Sequence, residues 1–237
     1  MKKLLALTLV LFLIGSVALA QTDKEITFQD TSWGTSYTEI DKKFSSYQLY
    51  DMRGKLIKTF SVDQIITDEG GIDFEYNDIN VVGNTYSPES KVAGYTTKDV
   101  TFFFAYKPVN GLLTKELSDT MMYAARYEFA TTDLEVMEAD LTSKLSGLYG
   151  EPDATDSGSN MWGTEFKYVY WYGANDTGVA LIVHHPTVNT FLSEDSILLV
   201  YFTRQGDQWL QEASDAEAAR EAQGKNATPD AGDNSGL

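Results

Sequence analysis

Residues 164–185 read TEFKYVYWYGANDTGVALIVHH, and the fold turns on how this stretch is read. In its first half Phe166, Tyr168, Tyr170 and Tyr172 alternate with Lys167, Val169 and Trp171. A period of two puts the four aromatic rings on one face of a strand. Gly173-Ala174-Asn175-Asp176-Thr177-Gly178 is turn chemistry, because Gly, Asn and Asp adopt the backbone conformations of a tight reversal at little cost. Val179–His184 then returns, so 164–185 is expected to form a β-hairpin.

Outward from the hairpin, more strands follow. Ile197–Phe202 is apolar on both faces and is expected in the middle of a sheet. Val100–Tyr106 is aromatic-rich and stops before Pro108. Met121–Phe129 alternates as a strand does, although Ala124 and Ala125 also permit helix. Leu56–Val62 and Ile79–Val82 are strand candidates on either side of the acidic Gly70-Gly71 turn.

Two helices carry entry signals. Ser36-Tyr37-Thr38-Glu39 is a capping box, and Tyr37, Ile40 and Phe44 follow on one helical face. Thr132-Asp133-Leu134-Glu135 has the same form. Behind it Leu134, Met137, Leu141, Leu145 and Leu148 make an apolar stripe that Gly150 and Pro152 end, which predicts a helix over 133–149. From Gly206 the composition changes. Residues 207–223 are helical by propensity with only Trp209 and Leu210 large and apolar, so docking is expected through the first turn at most. Lys225–Leu237 is expected to be disordered.

The expected fold class is α+β. Two helix-plus-antiparallel-sheet units, 21–130 and 131–206, form one body, and a helical then disordered tail covers 207–237. The segments Ile26-Thr27-Phe28, Trp33-Gly34-Thr35-Ser36, Asp140-Leu141, Lys144-Leu145 and Tyr149-Gly150-Glu151-Pro152 resemble parts of uncharacterised exported proteins of gut Firmicutes. The order of elements is similar to helix-plus-sheet modules of the β-lactamase-inhibitor and outer-membrane-assembly lipoprotein kind. That resemblance implies binding of other proteins through a sheet face or edge. It carries over no site residue.

Residues 1–20 have the order of a secretory signal peptide: Lys2-Lys3, an apolar run to Ile14, and Ala18-Leu19-Ala20 before the cut. The competing reading, an uncleaved anchor, is short for a bilayer and lacks a basic flank. A secreted, extracytoplasmic protein is expected, without membrane anchoring after cleavage. The chain has no cysteine, which excludes disulfides, thiol catalysis, cysteine-bound metals and a lipidated cysteine. Its net charge is −17; without the two signal lysines, 35 acidic residues face 16 basic ones. Such a surface repels nucleic acid and anionic lipid, so no nucleic-acid partner is expected.

No sequence motif specifies a chemistry. His184 and His185 are adjacent on a strand, point to opposite faces and cannot easily share a metal; one packed and one solvated imidazole are expected. Asp68, Glu69, Asp73, Glu75 and Asp78 are a dense acidic run. Asp153-Ala154-Thr155-Asp156-Ser157-Gly158 comes nearest to a calcium loop but has Thr164 where the distal Glu belongs. G-x-S-x-G and S-x-x-K are absent, and Gly54-Lys55 lacks the rest of a phosphate loop. No cofactor, metal site or catalytic residue is therefore assigned. Tyr168, Tyr170 and Tyr172 are the candidate binding residues, for an unknown protein or glycan, since tyrosine joins apolar area to a polar tip. Their bland alternative is core packing. The competing function is a secreted hydrolase using paired carboxylates.

Overall fold

The structure, a computed structural model, describes residues 23–45, 50–51, 62–67, 79–84, 91–130, 133–159, 164–186 and 195–227. The elements are α1 (Tyr37–Lys43), β1 (Tyr50–Asp51), α2 (Val62–Thr67), β2 (Asn80–Asn84), β3 (Lys91–Val92), β4 (Tyr95–Tyr106) and β5 (Thr120–Ala130). They continue as α3 (Leu134–Tyr149), β6 (Ala154–Ser159), β7 (Thr164–Tyr172), β8 (Thr177–Pro186), β9 (Ser196–Thr203) and α4 (Gln205–Ala227). The fold is α+β.

The capping box of Ser36 and Glu39 forms as its spacing predicts and starts α1. In α3 the cap is Asp133, whose side chain accepts from the Val136 N–H; this corrects the expected Thr132 cap by one residue. Met137, Leu141 and Leu145 are buried, each contributing about 1.5–3 kcal/mol of apolar burial. Leu148, expected on the same stripe, is 72% exposed. At 100° per residue Leu148 falls between the buried Met137 and Leu141 on the helix circumference, so its exposure goes with its place in the last turn of α3 and not with the direction of the stripe. Gly150 ends α3 at φ +91°, a conformation that favours glycine.

All strands pair antiparallel in the order β1-β2-β4-β5-β9-β8-β7-β6, with β3 added on β4. Each half of that order has a helix ahead of it in the chain, α1 or α3, and ends in the last strand of its run. Those last strands, β5 and β9, pair in the middle: Tyr127 lies opposite Leu199 and Arg126 opposite Val200. The expected central strand at 197–202 is therefore β9, and the expected hairpin is β7–β8. Asn175 and Asp176 take φ +58° and +55° at its turn. Met121–Phe129 is strand, with the helix alternative overruled by pairing on both sides.

Alternation assigns each residue to one of two sheet faces. On the first, α1, α3 and the segment around Phe28 cover Phe102, Tyr127 and Tyr201. Phe28 stacks on Tyr127 at 4.9 Å and meets Phe102 and Tyr201 edge-on. The Trp171 indole, fully buried on this face, donates to the Gly150 carbonyl at 3.0 Å. The second face is covered by α4 and α2. A register shift between Phe103 and Phe104 leaves Tyr123 as the extra residue of a bulge. Tyr123 lies against Gly206, at the start of α4, where any Cβ would stand 2.5 Å from the tyrosine Cβ.

Three expectations need correction. Val62 opens a helix, α2, instead of ending a strand; residues 52–61 lie outside the described residues. The C-terminal helix docks well beyond its first turn, because Leu210 is followed into the interface by Ala213 and Ala216. Alanine lets a helix approach closely without a large apolar side chain, so a count of large residues underrates it. The helix also runs through Lys225 to Ala227, inside the span expected to be disordered. Residues 1–22 and 228–237, and with them the signal peptide and the end of the tail, lie outside the described residues.

Candidate functional site

The two-residue period of β7 carries Phe166, Tyr168, Tyr170 and Tyr172 onto the α2/α4 face as a row of near-parallel rings. Successive centroids are 6.3, 6.3 and 6.0 Å apart, with interplanar angles of 18°, 13° and 8°. This is close to the i to i+2 repeat of a strand. Phe166 is buried, and the three tyrosines are half-buried against the core. On the other side of the strand Val169 and Trp171 are core. The predicted ladder is thus present; its three tyrosines pack against the core with one part of their surface and leave the rest open, while Phe166 is buried.

The row lies one strand in from the end of the sheet. On its inner side it faces Ala180, Ile182 and His184 of β8; on its outer side it faces Ala154, Asp156 and Gly158 of β6. Every residue of β6 is exposed, and none has a side chain larger than Thr or Asp. Among the described residues, β6 therefore puts no large side chain on the outer flank of the rings. Acids surround it. Asp156 is paired across from Tyr168, and Asp153 Oδ2 accepts the Tyr172 N–H at 2.7 Å. Burial, then the neighbouring tyrosines and Asp156, push the Tyr170 phenol up to about 12. At the far end Arg204 meets Asp63 of α2 at 3.0 Å, interacts with Tyr172 and stands 5.8 Å from the Phe202 ring.

The other end of the row joins a buried polar group, of which sequence reading expected the packed histidine and missed the charged neighbours. His184 is packed edge-on against Phe166 at 4.9 Å. Burial, followed by the Arg126 charge, pushes its imidazole down to about 4. Arg126 is 8% exposed and its Nε has no hydrogen-bond partner. Burial raises the Asp99 carboxyl, and Arg126 partly offsets that. Glu128 is bound by Lys98 at 2.9 Å. A signal was present in the chain: Arg126 and Glu128 interrupt the apolar face of a strand that must be central.

His185 points to the opposite face, where its Nδ1 is 2.8 Å from Asp195 Oδ1. The histidines therefore separate as expected, one packed and one more than half exposed. His185 lines an open cleft of about 500 Å³ under the start of α3, with Glu138, Glu165, Lys167 and Ser157. Glu138 is ion-paired to Lys167 across it. The acidic run 68–78 lies outside the described residues. The nearest approach to a calcium loop, 153–158, is mostly the strand β6, and Asp153 already holds the Tyr172 amide. Among the described residues no group of three or more His, Asp or Glu could hold a metal ion, and no helix is long and apolar enough to cross a membrane.

No protein-family model, curated protein or solved structure matches this chain.

Proposed function

We propose that this is a non-enzymatic, exported binding module that takes a protein or glycan partner on the β7 tyrosine row. The observation that carries the reading is the half-buried state of Tyr168, Tyr170 and Tyr172 beside a strand of small exposed residues. A row of rings kept parallel by one strand offers a rigid apolar area with polar tips, at little entropic cost on binding. Screening glycan and peptide arrays with wild-type protein and with Tyr168→Ser, Tyr170→Ser and Tyr172→Ser tests it. Specific hits that weaken in the variants are expected; hits indifferent to all three would overturn the reading. For export, the N-terminus of secreted protein should be Gln21, as cleavage after Ala20 requires.

The cleft under α3 supports the second reading, a hydrolase using paired carboxylates, because Glu138 and Glu165 share it. The ion pair of Glu138 with Lys167 weighs against a free acid there. Glycosidase substrates give the direct assay, with Glu165→Gln as the variant that must lose any activity found.

A further inference from the structure

We propose that the outer edge of β6 accepts an extended, basic peptide as an added strand, whose Lys or Arg side chains lie on the β7 tyrosines. The inference rests on the tyrosine row being a binding surface and names its partner class.

Three observations combine. Among the described residues β6 ends the order of strands, and all six of its residues are exposed. The outward N–H and C=O groups of every second residue are thus a template for one more strand, in which the Ser157 N–H, now donating to Asp156 Oδ1 at 2.8 Å, must change partner. Its side chains on the row's face are Ala154, Asp156 and Gly158, too small to wall off the rings behind them. An added strand would lie two strand spacings from β7, roughly 9.5 Å. A four-carbon Lys stem reaching in and a tyrosine side chain leaning out close that gap above the small residues. The added strand's same-face residues would recur at the spacing of the rings, because both follow the two-residue repeat.

Charge decides the occupant. Asp156 stands on the edge strand itself, Glu151 and Asp153 precede it, and the whole chain carries −17. The nearby cations are engaged, Lys167 by Glu138 and Arg204 by Asp63. A second copy of this chain would bring Asp156 and the same acidic surroundings against themselves, so the edge is guarded against self-pairing. A basic strand meets the opposite condition. Its ammonium or guanidinium groups would find the Asp156 carboxylate beside the tyrosine row, and its side-chain stems would find the apolar area of the rings.

The test uses the mature protein and a capped peptide of alternating Lys and Thr, followed by calorimetry and amide NMR at low salt. The expected result is one-to-one binding with the largest amide shifts in β6. Three controls should each weaken it: N-methylation of alternate peptide residues, which removes edge hydrogen bonds; Asp156→Lys; and Tyr168→Ser. Each substitution is expected to cost roughly tenfold in affinity. Unchanged melting curves would certify the fold of the two variants, whose positions are exposed or half-exposed. Equal affinity for the N-methylated peptide would reduce the interaction to charge and overturn strand addition. No binding of the parent peptide, or binding indifferent to both variants, would overturn the proposal. If the peptide fails while a glycan binds in a tyrosine-dependent way, the binding-module reading survives and this inference alone falls.

Discussion

Gly178→Ala is a small substitution whose consequence follows from one contact. Gly178 of β8 lies between two aromatic residues, paired with Tyr172 on β7 and with Phe202 on β9. The Phe202 ring sits over the glycine: a Cβ there would stand 2.5 Å from Cζ and 3.0 Å from both Cε atoms. Carbon atoms in favourable contact are about 3.5–4.0 Å apart, so the ring must withdraw by roughly 1 Å. Phe202 has no exposed surface, and withdrawal would disturb the packing around it. Overpacking of this kind costs about 1–3 kcal/mol. Replacing glycine in a strand interior recovers roughly 0.5–1 kcal/mol of backbone entropy. The net expectation is a loss of about 1 kcal/mol or somewhat more, or a melting temperature lower by roughly 2–4 °C per kcal/mol. Urea unfolding followed by tryptophan fluorescence reads it as a lower midpoint at unchanged slope. Phe202→Leu alone should destabilise, yet in the Gly178→Ala background it should cost less, by roughly 0.5 kcal/mol or more of coupling. An alanine variant as stable as wild type, or strict additivity in the double variant, would refute the contact argument.

Trp171→Ala and Tyr170→Ser differ by one position on β7 but act on opposite faces. The first should cost about 3–5 kcal/mol and the second distinctly less, and equal losses in denaturant melts would return the tyrosines to the core. His184 has a folded-state pKa near 4 against 6.5 in an unfolded chain. Its stabilising contribution, on the order of 3 kcal/mol, is therefore complete above pH 6.5 and lost as pH falls toward 4. A pH series should show that decline in wild type and a shallower one in His184→Gln. Asp99 runs the other way: burial raises its carboxyl, so its contribution is lost as pH rises, and Asp99→Asn should melt higher at pH 7. Ala213→Glu should unseat α4, with limited proteolysis cutting after Arg220 faster than in wild type.

Patterns that depend on neighbours along the chain were readable. The alternation over 166–172 placed the ring row and its hairpin, and the spacing Met137, Leu141, Leu145 placed α3. Properties that depend on a neighbour from elsewhere were not. The charged group of Asp99, Arg126 and Glu128 comes from two strands, and meets His184 only because β9 lies between β5 and β8. The depth of α4's docking depended on Tyr123, turned toward Gly206 by a bulge that alternation cannot register.

By itself the chain determined which residues would stand together on one strand face or one helix stripe, since backbone geometry sets periods of two and 3.6 for any context. Tertiary structure decided which of those faces would be covered. It set Trp171 against Gly150 and left Tyr168, Tyr170 and Tyr172 half-open, because the strand beyond them, β6, is the last in the sheet and carries only small side chains. Exposure belongs to the assembled sheet, where the order of strands is set by long-range pairing and burial, and no local repeat contains that order.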